Sequence, residues 1–122
     1  MFVKLDGGRA LVNISALCWI TENDARGERR LMSTFYVNGE LTHCSKAISG
    51  DEYALIVGMV MGSFIKFGSF LINPEQISLV TPMILIGKES EVALQFTFRT
   101  IANLTVRGAV EEYKVLVERL TC

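Results

Sequence analysis

The chain repeats its own pattern. Phe2-Val3-Lys4-Leu5 returns as Phe64-Ile65-Lys66-Phe67, and after a turn two residues shorter, Leu11-Val12-Asn13 returns as Leu71-Ile72-Asn73. Leu17-Cys18-Trp19-Ile20-Thr21 matches Ile77-Ser78-Leu79-Val80-Thr81 in apolar pattern, and Asp51-Glu52-Tyr53-Ala54-Leu55-Ile56-Val57 matches Glu111-Glu112-Tyr113-Lys114-Val115-Leu116-Val117. Order and spacing hold from end to end and drift only where loops are expected. Such self-similarity means that one supersecondary unit is used twice. The expected boundary near Met61-Gly62-Ser63 gives a first module over 1–61 and a second over 62–122. A unit of about 60 residues buries too little surface to be comfortably stable alone, so the two are expected to share one core about a pseudo-twofold axis.

The expected fold class is α+β: two tandem β-rich modules, each of about four strands and then one helix. Phe2 to Leu5 alternates, Asp6-Gly7-Gly8-Arg9 supplies turn chemistry, and Ala10 to Asn13 starts the return. Leu17 to Thr21 is either a separate strand or a continuation after the Asn13-Ile14-Ser15 bend. Leu31 to Val37 and Leu41 to Ser45 flank Asn38-Gly39, a strong hairpin signal. Ser49 and Glu52 have capping-box spacing ahead of a helix that buries Tyr53, Ile56, Val57 and Val60. That helix is apolar nearly all round, which predicts burial on two sides at the module junction, or an oligomer interface that takes the remaining face. In the second module Val92 to Arg99 and Ile101 to Arg107 form the hairpin. A helix from about Ala109 to Leu120 carries the stripe Val110, Tyr113, Leu116, Val117 and Leu120.

Composition narrows the function classes. Half of the residues are apolar and a fifth charged, which excludes a disordered chain. Twelve Lys and Arg against thirteen Asp and Glu leave a net charge of -1, whereas a domain that neutralises several phosphates carries a basic excess. Cys18, Cys44 and Cys122 are odd in number and lack C-x-x-C spacing, so neither a disulfide framework nor a zinc site is expected. With no leader pattern after Met1, a reducing cytoplasm fits, and the sequons at Asn13 and Asn103 are chance matches. The charge-free run from Tyr53 to Ile65 is too short for a bilayer span of roughly 20 residues, so no membrane partner is expected.

Candidate sites are few. Asn13 and Asn73 stand at matching places after a strand and are candidate paired ligand contacts, although turn chemistry alone accounts for Asn there. His43 and Cys44 are adjacent in a strand and so face opposite sides, a poor arrangement for a base and its nucleophile. Gly87-Lys88-Glu89-Ser90 lacks the order of a phosphate loop. No nucleophile elbow, metalloprotease motif or carboxylate pair stands out, so neither catalysis nor a cofactor is expected. Arg26, Arg29, Arg30, Arg99 and Arg107, with Lys46, are the candidates for an anionic partner, the last two arginines flanking a hairpin of the kind that enters a major groove. Glu22, Asp24 and Glu28, interleaved with the first three, read instead as an ordinary solvated loop.

The stretch from Phe64-Ile65-Lys66-Phe67-Gly68 through Leu71-Ile72-Asn73 and Ile77-Ser78-Leu79-Val80, with Val106-Arg107-Gly108-Ala109-Val110-Glu111-Glu112 leading into the last helix, resembles the FlbD-like flagellar regulators. The opening is similar to the RemA-type matrix regulators, which are oligomeric DNA binders. Those families are usually single-copy, and this chain departs from them in being duplicated and slightly acidic. The resemblance implies the fold outline and a non-catalytic regulatory role. The expected function is a non-enzymatic binding or regulatory protein that acts through protein contacts and self-association. A DNA-binding regulator and a viral-type protein that sequesters a small anionic ligand such as a nucleotide are the alternatives.

Overall fold

The computed structural model describes residues 1–24, 26–37, 40–83, 90–99 and 103–121, with the side chains of 34–37 and 40–44 outside the description. Strands Phe2–Leu5 (β1) and Ala10–Asn13 (β2) pair antiparallel, Val3 opposite Val12 and Leu5 opposite Ala10. The reversal between them runs through a 3-10 turn at Asp6–Gly8 with Asp6, Gly7 and Gly8 all at positive φ, a region that glycine enters without steric cost. A second 3-10 turn at Ile14–Ala16, capped by Asn13, separates β2 from Leu17–Thr21 (β3). Arg30–Val37 (β4) and Glu40–Ala47 (β5) make the long hairpin, in register from Arg30 opposite Ala47 to Val37 opposite Glu40. The Asn38-Gly39 turn itself lies outside the described residues. Helix Gly50–Val60 (α1) opens with the expected capping box, in which Ser49 Oγ accepts the Glu52 N–H and the Glu52 carboxylate accepts the Ser49 N–H.

The second half runs through the same kinds of element: Ile65–Phe67 (β6), Phe70–Ile72 (β7), a 3-10 turn at Pro74–Gln76 capped by Asn73, Ile77–Met83 (β8), Glu91–Phe98 (β9), Asn103–Ala109 (β10) and Val110–Leu120 (α2). Five strands precede each helix, where about four were expected. The capped turns after Asn13 and Asn73 end one strand and let another begin, which settles Leu17 to Thr21 as a strand of its own. Both β3 and β8 also shift register against the strand that follows, between Leu17 and Trp19 and between Ile77 and Leu79. The protein is therefore mixed α+β, with ten strands and two helices among the described residues.

The sheets do not respect the midpoint of the chain. Their orders are β1-β2, β10-β9-β8 and β5-β4-β3-β7-β6, so the hairpin of the second half is built onto β3 of the first, Trp19 opposite Ile72, Ile20 opposite Leu71 and Thr21 opposite Phe70. As an interior strand, β3 is buried at every position, which accounts for its unbroken apolar run. Two apolar clusters flank it, and each borrows from the other half. One joins Leu17, Ile20, Ile56 and Val60 to Phe64, with Leu71 packed against them. The other joins Ile65, Phe67, Phe96 and Leu116 to Cys18 and Trp19.

The two-sided burial predicted for α1 does not occur. Ile56 and Val60 are its buried residues, while Leu55 is 55% exposed and Met61, just beyond, 73%. Phe64 and Leu71 add to the face that Ile56 and Val60 already present, and leave the opposite face uncovered. The stripe on α2 is likewise half covered, with Leu116 buried but Val117 and Leu120 exposed.

Two glycines lock the β6–β7 hairpin onto β10. A Cβ on Gly68, which has φ +59°, would stand 2.5 Å from the Arg107 carbonyl oxygen, and one on Gly108 would stand 2.7 Å from Cζ of Phe67. Gly68→Ala is expected to destabilise by at least 1–3 kcal/mol, roughly the cost of an overpacked site, because a backbone carbonyl has nowhere to move. Gly58→Ala, in an exposed helical position with nothing within 4 Å, is expected to stabilise by about 0.5–1 kcal/mol. Urea denaturation of the two variants checks both signs.

Candidate functional site

The cation-rich loop after β3 is shaped by its own acidic residues. Asp24 Oδ1 accepts the backbone N–H of both Arg26 and Glu28 at 2.8 Å. Those bonds, the Glu28 N–H foremost, with Arg30 and Arg26 nearby, hold its carboxyl below the usual range against the opposing effect of desolvation. Gly27 supplies the positive φ that closes the turn. Arg30 turns away from solvent partners: its Nε donates to Ser45 Oγ at 2.8 Å, Nη2 to the Ser45 carbonyl at 3.0 Å and Nη1 to Glu28 at 3.0 Å. Of the three arginines, only Arg26 and Arg29 are left to meet a ligand. Lys46 pairs with Asp6 across the first turn.

Arg29 lines a cavity of 640 Å³ between the loop, α1 and the β6–β7 turn, with Glu22, Tyr53, Lys66, Ser69 and Phe70 also in its wall. Two cations, a phenol, a hydroxyl and an aromatic ring thus meet one carboxylate. Burial first, and the Glu22 carboxylate second, push the Tyr53 hydroxyl up, while Arg29 works against them, so Tyr53 is a neutral hydrogen-bonding group at ordinary pH. The arrangement has the chemistry to hold a small anion with a flat apolar part. Lys66, Ser69 and Phe70 were not singled out in the sequence, because the cavity is assembled from three separated segments and leaves no local spacing to find.

Arg99 and Arg107 do not make one patch. Arg107 lies opposite Ala93, and Arg99 follows six residues further along the neighbouring strand, roughly 20 Å away at about 3.4 Å per residue. Both are exposed.

Asn13 and Asn73 take matching places, but with different surroundings. Asn73 is 4% exposed. Its Oδ1 accepts the Glu75 N–H at 3.1 Å, its Nδ2 donates to the Leu17 carbonyl at 2.9 Å and the Ser15 carbonyl at 3.4 Å, and its backbone N–H reaches Cys18. Its amide is therefore taken up by the chain itself. Asn13 Oδ1 accepts from the Ser15 N–H and hydroxyl, and among the described residues its Nδ2 has no hydrogen bond. The side chains of His43 and Cys44 lie outside the described residues, as does Gly87-Lys88-Glu89. Among the described residues no three His, Cys, Asp or Glu side chains gather to hold a metal ion, and no helix is long and apolar enough to cross a membrane.

No protein-family model, curated protein or solved structure matches the chain.

Asn73→Ala is expected to cost about 2–3 kcal/mol, since it strands buried carbonyls, and Asn13→Ala less than about 1 kcal/mol; chemical denaturation measures both. Glu52 gives a pH-dependent test. Its carboxylate accepts the N–H of Ser49 and of Asp6, and these bonds hold its pKa down. A depressed carboxyl stabilises the fold above its unfolded pKa, and that contribution is lost as pH falls through the folded value. Glu52→Gln is expected to lower the melting temperature at pH 7, with the gap to wild type closing in acid below the normal carboxylate range.

Proposed function

We propose that the protein is a non-enzymatic regulatory protein of the cytoplasm that acts through protein contacts, built as two copies of one strand-rich module over 1–61 and 62–122. The observation that carries this reading is a set of exposed large apolar side chains, Phe2, Leu11, Leu79, Met83, Val117 and Leu120, on or beside strands that, among the described residues, have one unpaired edge, β2 and β8. Leu79, Val117 and Leu120 line one groove; contiguous exposed apolar surface marks interaction sites, and open strand edges recruit further strands. The matching order of elements and the matching Asn caps support the duplication. The outline resembles FlbD-like and RemA-type modules, which supports a regulatory role.

A small anionic ligand is the second reading, favoured by the cavity that Arg29, Lys66 and Tyr53 line. DNA binding through Arg99, Arg107 and the Arg26 to Arg30 loop has less support, because Arg30 is engaged within the chain and the two strand arginines stand far apart.

Three measurements separate these readings. Sedimentation is expected to show complexes heavier than the 13.6 kDa chain, formed with itself or another protein. A strict monomer without a protein partner would overturn the proposal. Duplex DNA at low salt is expected to leave fluorescence anisotropy unchanged; a salt-sensitive rise would establish the DNA reading. A nucleotide panel that raises the melting temperature of wild type, but not of Lys66→Glu, would establish the ligand reading.

A further inference from the structure

We infer that the partner is a second copy of this chain, whose β1–β2 hairpin adds to the open edge of β8, so that chains join head to tail. The inference rests on the two-copy reading above and names the partner it leaves open.

The template is the junction inside one chain. There the β6–β7 hairpin sits on the edge of β3 with Trp19 opposite Ile72, Ile20 opposite Leu71 and Thr21 opposite Phe70. Thr21 Oγ1 donates to the Ser69 carbonyl at 2.7 Å, and the Asn73 amide and backbone N–H grip the carbonyls of Leu17 and Cys18. Phe64 and Leu71 pack on Ile20, Ile56 and Val60.

Sixty positions away, the same parts exist without the contact. Among the described residues, β8 pairs with β9 on one side alone, and β2 with β1 alone. Thr81 matches Thr21 and is exposed, whereas Thr21 is fully buried. Asn13 matches Asn73, and among the described residues its amide N–H groups are unbonded. Leu11 is 61% exposed, whereas its counterpart Leu71 is packed into a core; Phe2 is 63% exposed, whereas Phe64 is 7%. The receiving surface is present as well. A groove of 430 Å³ beside β8 is lined by Val80, Tyr113, Leu116, Val117 and Leu120, and Val80, Leu116 and Leu120 stand where Ile20, Ile56 and Val60 receive Phe64 and Leu71. Pro82, which lacks an N–H, falls one residue beyond the three that need pairing.

Transferred to two chains, the register places Leu79 opposite Val12, Val80 opposite Leu11 and Thr81 opposite Ala10. Phe2 and Leu11 enter the groove, and Asn13 reaches the carbonyls of Ile77 and Ser78. The two surfaces are different, so the contact is heterologous, and repetition closes into a ring or extends as a filament. Addition of a strand to an exposed edge is an established mode of recognition, in which backbone bonds give affinity and alternate side chains give specificity.

Native mass spectrometry tests this on the full chain. Wild type is expected at several multiples of 13.6 kDa. Leu11→Glu spoils the hairpin and Leu79→Glu spoils the edge, both at exposed positions that leave the circular dichroism and melting of the single chain unchanged, and each variant alone is expected to run as a monomer. Mixed, they retain one good hairpin and one good edge, and are expected to form a one-to-one pair and nothing larger. A wild-type monomer, variants that still assemble, or a mixture that stays monomeric would each overturn the inference. The broader reading is tested separately: a monomeric wild type that binds another protein refutes the self-pairing alone, whereas nucleotide or DNA binding by the Leu11→Glu monomer establishes the ligand or DNA reading and leaves the assembly standing.

Discussion

Three residue pairs between β3 and β7 hold the molecule together across its midpoint, and most of the structure depends on them. Without β7, strand β3 would be an edge, and the all-buried run from Leu17 to Thr21 would face water. Each apolar cluster would lose members, Phe64 and Leu71 from one and Cys18 and Trp19 from the other. A fully buried side chain of this size contributes about 1.5–3 kcal/mol relative to exposure, a sizeable fraction of the 5–15 kcal/mol typical of a whole domain. The Asn73 amide fixes the register of this contact, because a slip by one residue would strand its buried nitrogen and turn Ile20 to the wrong face.

Much of the local structure was legible beforehand. The strand runs, the Ser49 and Glu52 capping box, the reversal at Asp6-Gly7-Gly8 and the last helix each follow from a few adjacent residues. What could not be read was which hairpin meets which edge. Phe2-Val3-Lys4-Leu5 and Phe64-Ile65-Lys66-Phe67 are near twins, yet β1 and β2 stay apart as a sheet of two while β6 and β7 join five. Strand partners some 50 residues apart are selected by packing of the whole chain, and no local pattern encodes that choice. The same holds for α1, whose apolar composition suggested two buried faces. The 640 Å³ cavity was equally hidden, because Tyr53 reads as a core residue of a helix and Lys66 as the polar member of an alternating strand.

Several charged residues serve local architecture. Asp24 and Arg30 shape the loop after β3, while Glu52 ties the first turn to α1 through the Asp6 N–H. Glu112 does the same for the second half, accepting the N–H of Gly68 and of Ala109. Asp24, Glu52 and Glu112 thus receive backbone donors at turns and caps.

The β3 to β7 contact also bears on how the chain is made. Residues 17–21 leave the ribosome about 50 residues ahead of 70–72, which at 5–20 residues per second is an interval of roughly 3–10 s. Throughout that time β3 has one open edge, and Ile20 lacks its cover. The first half of every nascent chain therefore passes through the condition in which β8 stands, among the described residues, in the folded single chain, and neighbouring ribosomes on one message would hold such edges close together. Exchange of hairpins between nascent chains is thus an intrinsic hazard of this topology, limited by how soon Phe70, Leu71 and Ile72 emerge.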